Sequence, residues 1–368
     1  MIGFEASNIV IMLPLALLFA LKISPPAADV KYLQPQLAST GDMIGLAFGS
    51  GNSIFYTYST NDGATFARPV EIETGGHMAL GRHRGPRIAI YSGNVVISAV
   101  VGEKGKGQDG DILAWRSGDN GKTWSKPVRV NDIPGSAREG LHAMASGNGW
   151  IVAVWLDLRD KGTSLYWSKS DDGGATWSKS LLVYESPSGT ICQCCHPSVL
   201  VGPGGAIHVM WRNSLDGSRD MYVTRSTNGG KTWLPAKKVG RDTWVLNACP
   251  MDGGSFTVTG SNNVYTTWRR DKKIYVANVL SKESELGEGK DPALASGLNE
   301  ALYAVWTAPD GIKMRNSKTN IVESLSAVGA HPQILFTGRS VLAFWEQDGG
   351  IAMGVVEGPV PLLPAAQK

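Results

Sequence analysis

Apolar segments along the chain alternate with short polar, glycine-rich stretches, and the same arrangement returns seven times. Each unit has a first apolar segment that usually opens with a proline, a second that usually ends in an aromatic residue, and a third. Apolar and β-branched runs of this length between turn-forming residues are typical of β-strands. The first segments begin near Pro35, Pro86, Leu141, Pro197, Pro250, Pro292 and Pro332. The pattern predicts an all-β protein of seven small antiparallel sheets.

The last unit ends after its third segment, whereas residues 29–33 precede the first unit. We expect residues 29–33 to supply the fourth strand of the last sheet. This arrangement would join both ends of the chain in one sheet and protect the exposed sheet edges.

An eight-residue motif follows the third segment in the first four units. It reads S-x-[DN]-x-G-x-T-[WF] and begins at Ser59, Ser117, Ser170 and Ser226, roughly 55 residues apart, which is typical of a repeat architecture. The third residue can accept hydrogen bonds from backbone amides ahead of it, and the glycine can adopt the positive φ that the turn needs. We expect the final aromatic ring to pack on the sheet and fix the hairpin.

The octet resembles the Asp-box, or BNR repeat, of the sialidase superfamily of β-propellers. The resemblance implies a ring of four-stranded blades, with octets that serve structure and lie away from the active face. Sialidases have six blades, whereas the chain has seven units. Either one short C-terminal unit is not a blade, or the chain is a relative that is not a sialidase.

Composition supports a folded domain and argues against nucleic-acid binding. Of 368 residues, 42% are hydrophobic and 18% are charged, and 45 glycines and 19 prolines fit a protein rich in turns. The net charge of +3 is small and scattered, and no basic run is interleaved with aromatic residues.

The first 28 residues are interpreted as a signal peptide or N-terminal anchor, residues 29–360 as a single β-propeller domain, and residues 361–368 as a tail. Residues 9–21 form an apolar run of signal-peptide length. Glu5 precedes the run without a basic residue, and Pro26 disfavours cleavage after Ala28, so an uncleaved anchor is the alternative. We expect an exported protein that is periplasmic, extracellular or membrane-anchored.

The cysteines and several histidines cluster at or just before the predicted starts of the innermost strands. Thiols and imidazoles suit copper or zinc, whereas four cysteines in an exported chain also fit disulfides. Cys192 to His196 further spells the C-x-x-C-H signature of c-type haem, but it leads directly into a strand, which disfavours haem. The candidate metal ligands are Cys192, Cys194, Cys195, His196, Cys249 and His142.

Arginines and acids collect at the same end of the predicted ring, where guanidinium groups could clamp an anion. The resemblance implies three arginines that bind a substrate carboxylate, an acid/base Asp, and a Tyr nucleophile assisted by Glu. No tyrosine lies at an aligned strand start, so the mechanism is not carried over. For an acidic sugar, the candidates are Arg84, Arg87 and Arg212 as binding residues and Glu139 or Asp157 as general acid/base.

The sequence therefore predicts an exported, sialidase-like propeller whose channel mouth binds or hydrolyses acidic glycans or another anionic small ligand. A metal or redox protein using the cysteine cluster is one alternative, and a non-catalytic interaction module is another. A membrane would be contacted only through an uncleaved N-terminal segment. No functional role is predicted for His77, His83 or His208.

Overall fold

The computed structural model describes residues 21–279 and 281–359. Within these residues the regular structure is β, apart from two short 3-10 turns at Pro203–Gly205 and Leu298–Glu300. The strands form seven separate sheets, so the prediction of an all-β, seven-bladed propeller is confirmed.

The strands are numbered in chain order, and β1 is Leu21–Ile23. Blade 1 contains β2 to β5, which are Leu33–Thr40, Met43–Ser50, Ser53–Ser59 and Val70–Glu73. Blade 2 contains β6 to β10, which are His77–Met78, Arg87–Tyr91, Asn94–Gly102, Asp111–Ser117 and Val128–Arg129. Blade 3 contains β11 to β14, which are His142–Gly147, Trp150–Asp157, Ser164–Ser170 and Leu181–Tyr184.

Blade 4 contains β15 to β18, which are Ser198–Val201, Ile207–Arg212, Met221–Ser226 and Lys237–Lys238. Blade 5 contains β19 to β22, which are Gly254–Val258, Val264–Arg270, Lys273–Asn278 and Ser284–Glu288. Blade 6 contains β23 to β26, which are Lys290–Ser296, Leu302–Ala308, Gly311–Asn316 and Val322–Ser326. Blade 7 contains β27 to β29, which are Ala330–Phe336, Val341–Gln347 and Gly350–Glu357, together with β1.

The innermost strand of each blade contacts the innermost strands of both neighbours, and β27 of blade 7 contacts β2 of blade 1. The ring therefore closes around a central axis. Turns between the first and second strands and between the third and fourth strands lie at one end, which we call the box face. The other turns and the connections between blades lie at the opposite end, which we call the mouth face.

Closure of the ring uses a different segment from the one predicted. Leu21–Ile23 pairs with β29 as the outermost strand of blade 7, so the prediction that residues 29–33 form this strand is wrong. Those residues instead connect blade 7 to blade 1, where the Tyr32 amide donates to the Gly349 carbonyl at 2.9 Å and the Tyr32 ring is buried. A residue committed to this crossing cannot also reach the outer edge of blade 7.

The predicted leader and tail lie mostly outside the described residues, which exclude 1–20 and 360–368. In the part of the chain that the structure describes, no helix has the length and apolar character needed to cross a bilayer.

Tryptophans at the ends of the second strands form the centre of the blade cores. Trp155, Trp211, Trp268, Trp306 and Trp345 are each at most 2% exposed. Burying such a side chain removes about 150–250 Å² from water, which contributes about 4–6 kcal/mol to folding. These tryptophans therefore have a structural role in the blade cores.

The octets form the predicted turns, and they also join neighbouring blades. In the first octet the Gly63 amide donates to Ser59 Oγ at 3.0 Å and the Thr65 amide donates to Asn61 Oδ1 at 3.0 Å. The aromatic rings pack on the preceding blade: Trp124 lies edge-on to Tyr56 with centroids 5.4 Å apart. The octet therefore stabilises the interface between blades as well as its own hairpin.

Candidate functional site

β-Bulges at the mouth face place polar side chains near the axis. The strand register skips two residues at the start of the innermost strands of blades 1, 6 and 7. The residue before the proline has a positive φ in each case: 58° at Gln34, 54° at Asp291 and 51° at His331. Because a bulge re-aims the local side chain, these three residues can meet partners that are distant in the sequence.

A cluster of three histidines and one aspartate meets at this position. His83 Nε2 lies 2.8 Å from Asp291 Oδ1, and His331 Nδ1 lies 3.7 Å from Asp291 Oδ2. The His83 ring stacks on His196 with centroids 4.4 Å apart and meets His331 edge-on at 5.0 Å. The connections into blades 2, 4, 6 and 7 therefore converge on one point.

The cluster retains capacity for a ligand. Asp291 Oδ2 and His331 Nδ1 are buried and have no hydrogen-bond partner among the described residues. Burial opposes ionisation of Asp291, but the hydrogen bond and charge of His83 hold the pKa of this carboxyl below its ordinary value. Burial lowers the pKa of His331 to about 4. At neutral pH an ionised carboxylate thus faces a neutral imidazole.

A cavity of about 150 Å³ lies against this cluster in the channel. Its lining includes His83, Arg87, His196 and Asp291, together with residues of the innermost strands. Such a volume is below the roughly 300–1,000 Å³ of ordinary small-molecule pockets. The cavity can therefore admit one small polar group rather than a long chain.

Arg87 brings a buried positive charge to the cavity. Its guanidinium donates to the carbonyl oxygens of His83, Pro86 and His142 at 2.6, 2.8 and 2.9 Å. Burial lowers the pKa of Arg87 to about 10, so the group stays charged at neutral pH. Carbonyl dipoles hold this cation without neutralising it, which favours an anion nearby.

Glu346, at the end of β28, adjoins the same cluster. It accepts hydrogen bonds from the backbone amide and side-chain Nε2 of Gln34 at 2.7 and 3.1 Å. Burial raises the pKa of Glu346, whereas that of Asp291 is lowered. Two carboxyl groups whose environments separate their pKa values are typical of an acid and base pair.

The predicted binding and acid/base residues do not form a single clamp. Arg87 lines the cavity, whereas Arg84 pairs with Glu139 at 3.6 Å in a partly exposed ion pair. Arg212 is buried and directed to Asp252 at 3.4 Å. The predicted convergence of three arginines on one ligand is therefore not observed.

Asp157 is occupied by structural contacts. Its buried carboxylate accepts hydrogen bonds from Ser136 Oγ, Trp155 Nε1 and the Arg159 guanidinium at 2.9, 2.7 and 2.9 Å. This geometry fixes a loop of blade 3 and gives no support to Asp157 as general acid/base. Glu139 keeps an accessible position and remains a prediction.

The six predicted metal ligands divide among separate places. Cys192, Cys194 and Cys195 are buried together, whereas Cys249 is exposed, and all four cysteines are free thiols, so no disulfide is formed. The innermost strand of blade 5 begins at Gly254, so Asp252 takes the place predicted for Cys249.

The two predicted histidine ligands lie apart from the sulfur atoms. His142 Nε2 contacts Ser98 Oγ at 2.9 Å within the ring. His196 belongs to the central cluster, where its Nδ1 accepts from the Gly253 amide at 3.2 Å.

Sequence reasoning missed His83, Asp291, His331 and Glu346. A signal existed for Asp291 and His331, because both precede the proline that opens an innermost strand. No local pattern distinguishes His83, whose partner Asp291 is 208 residues away.

Comparison with known proteins supports the fold. Residues 88–248 match the family model described as a BNR repeat-like domain. No curated protein matches the chain in sequence. The predicted resemblance to sialidase-like BNR propellers is confirmed by this match and by the propeller architecture, whereas the seventh blade departs from the six blades expected of a sialidase.

Several solved structures of low sequence identity share the architecture. The Penicillium chrysogenum α-L-arabinanase complexed with arabinobiose is 14% identical with a TM-score of 0.56, covering 92% of this chain and 97% of that chain. A PL25 ulvan lyase is 11% identical with a TM-score of 0.57, covering 92% and 96%. A Hadza microbial sialidase is 14% identical with a TM-score of 0.50, covering 87% and 74%.

Proposed function

We propose that the mouth face binds the terminal acidic sugar of a glycan and hydrolyses its glycosidic bond. The observation that carries the proposal is that Asp291 and Arg87 line one cavity at the ring axis, while Glu346, whose pKa burial raises, is close enough for the charge of Asp291 to raise that pKa further. The arabinanase, the ulvan lyase and the sialidase of the same fold support a glycan as the ligand class. The export proposed from residues 9–21 fits a substrate outside the cytoplasm.

The cavity supports recognition of an acidic sugar at a chain end. With about 150 Å³, it accommodates a carboxylate or sulfate group beside Arg87 but not several sugar rings. A buried cation held only by carbonyl oxygens lowers the free energy of a bound anion more than that of a neutral hydroxyl. We therefore infer preference for acidic over neutral terminal sugars.

The two carboxyl groups supply opposite proton-transfer roles. Glu346, with its raised pKa, donates a proton to the leaving glycosidic oxygen as the bond to the anomeric carbon breaks. Asp291 remains ionised and accepts a proton from the water that attacks the anomeric carbon. His83 positions Asp291 through the 2.8 Å hydrogen bond.

The test compares release of terminal sugars from sialylated, uronate-bearing, sulfated and neutral oligosaccharides. We expect release from one acidic class, and we expect Glu346→Gln and Asp291→Asn each to lower kcat by at least about 100-fold, as loss of a general acid or base does. Glu73→Gln, on the exposed outermost strand of blade 1, is the matched control and should retain full activity.

Three results would contradict parts of the proposal. Release of neutral sugars alone would exclude the role of Arg87. If Glu346→Gln kept full activity and Glu139→Gln lost activity, the general acid would be Glu139, as predicted from the sequence. Tight binding of an acidic glycan without product release would leave a binding module and remove the catalytic step.

A further inference from the structure

We propose that Cys192, Cys194 and Cys195 bind one thiophilic d10 metal ion, Cu⁺ or Zn²⁺, through their three sulfur atoms. This site goes beyond the glycan function, because the glycan proposal uses none of the three cysteines, although the same connection between blades 3 and 4 continues into His196.

The positions of the sulfur atoms support a common ligand. Cys192 Sγ lies 3.6 Å from Cys194 Sγ and 3.7 Å from Cys195 Sγ. A metal ion bound tetrahedrally at M–S distances of about 2.3 Å holds its sulfur ligands about 3.8 Å apart. All three sulfur atoms lie within 4.8 Å of one another, so the thiols are already near the separation that a shared ion requires.

The backbone holds these thiols in place before any ion binds. The Ile191 amide donates to the Thr163 carbonyl at 3.0 Å, and the Cys192 amide donates to the Arg212 carbonyl at 3.1 Å. A turn at Gln193 then brings Cys194 and Cys195 back toward Cys192. Preorganised ligands lose less conformational entropy on binding, which strengthens a metal site.

The surroundings suit a soft cation in a thiolate site. All three cysteines are buried, and the Met251 side chain packs against them, which adds a polarisable thioether beside the site. Arg212 and Arg269 both pair with the single carboxylate of Asp252, at 3.4 and 3.3 Å. One positive charge is thereby left over, and it would neutralise a Zn²⁺–trithiolate group and offset half of the negative charge of a Cu⁺–trithiolate group.

The proposal is tested by metal titration of the full chain. Protein is purified without chelator, reduced anaerobically, and titrated in separate arms with Cu⁺ and Zn²⁺ against a chromophoric competitor. We expect one ion per chain, with the tighter arm identifying the metal. Cys194→Ser should weaken metal binding by at least about 100-fold. Loss of a residue that only supports a metal ligand already costs up to about 100-fold, and Cys194 is proposed as a direct ligand. Cys249→Ser changes the exposed thiol and should leave binding unchanged.

A second measurement does not depend on a variant that folds. X-ray absorption of the loaded wild-type protein should show three sulfur neighbours at about 2.3 Å. Absence of stoichiometric binding in both arms would overturn the proposal, as would sulfur-free coordination. His83, Asp291 and His331 also lie within reach of one ion, so binding lost in His331→Asn but retained in Cys194→Ser would place the metal there and refute the trithiolate site.

Discussion

The box face and the mouth face are built from the same repeat, but they differ in how much they vary between blades. Equivalent positions keep the same pattern of residues and contacts in the four octets of the box face, whereas they differ on the mouth face. On the box face the four octets repeat one set of contacts, with the octet serine accepting the amide of the octet glycine each time. On the mouth face the residue at the entry to the innermost strand differs from blade to blade. In blade order these residues are Gln34, Gly85, Gly140, His196, Asp252, Asp291 and His331.

The two faces also differ in which buried atoms lack partners. Among the described residues, the acidic and basic side chains with an unpartnered buried atom are His142, Arg269, Asp291 and His331. Three of them lie on innermost strands, and Arg269 lies at the mouth-face end of the second strand of blade 5. The other unpartnered buried atoms of these residues belong to tryptophan, tyrosine and threonine, which do not titrate near neutral pH. Repetition on one face thus stabilises the ring, and variation on the other leaves titratable groups available to a ligand.

The largest effect is expected from Gly230→Ala on the box face. Gly230 has a φ of 78°, and an added Cβ would overlap the ring of Trp167. Left-handed strain and overpacking together should lower the free energy of unfolding by about 3 kcal/mol or more, measured by urea denaturation.

Gly217→Ala is the matched control on the mouth face. Gly217 has a φ of 76° but has no atom within 4 Å of the added Cβ, so only the conformational cost of about 1–2 kcal/mol should remain. Equal losses in the two variants would mean that packing against the preceding blade contributes nothing. Ligand binding by the folded fraction should be unchanged in Gly230→Ala.

His331→Asn on the mouth face should weaken ligand binding while leaving stability nearly unchanged, which is the opposite of what is expected for Gly230→Ala. Asparagine tolerates the φ of 51°, and His331 Nδ1 has no hydrogen bond to lose among the described residues. Unfolding free energy should therefore change by less than about 1 kcal/mol, while glycan affinity measured by calorimetry falls about tenfold. His77→Asn, at an exposed histidine, should alter neither quantity. A large loss of stability in His331→Asn would show that this residue stabilises the fold rather than binding a ligand.

The fold was predictable because its signals are local. Each octet contains its own turn glycine and hydrogen-bonding side chains, and blade cores show as apolar segments that end in tryptophan. Ring closure was less predictable, since β1 falls within a stretch whose hydrophobicity resembles a leader. A segment of three residues, Leu21–Ile23, carries too little pattern to be recognised as a strand.

The site was less predictable because its members meet only through the closed ring. In unit five, Pro250 resembles the proline that opens other units, but the innermost strand begins at Gly254. The strand start was therefore predicted too early, and Cys249 was assigned the position that Asp252 occupies. Arg87 was recognised from its position next to a strand start. His83 was not, because only contact with Asp291 across the channel gives it a role.

The smallest effect is expected from the acidic octets at low pH. Hydrogen bonds from the Thr123 hydroxyl and amide, at 2.7 and 2.9 Å, lower the pKa of Asp119 to about 2. Because the unfolded value is about 3.9, the stabilisation is complete above pH 4 and is lost as pH falls toward 2. Asp119→Asn should flatten this dependence of Tm on pH.

The chain contains its own control for this experiment, since two octets carry asparagine at the same position. Asn61 accepts a hydrogen bond from the Thr65 amide at 3.0 Å, and Asp119 accepts one from the Thr123 amide at 2.9 Å. The wild-type octet at Asn61 contributes no loss of Tm between pH 4 and 2, so Asn61→Asp should introduce one. Both shifts should be small, because these carboxylates are exposed and screened by solvent. An unchanged pH profile in both variants would show that octet hydrogen bonds hold the turn without favouring the charged form.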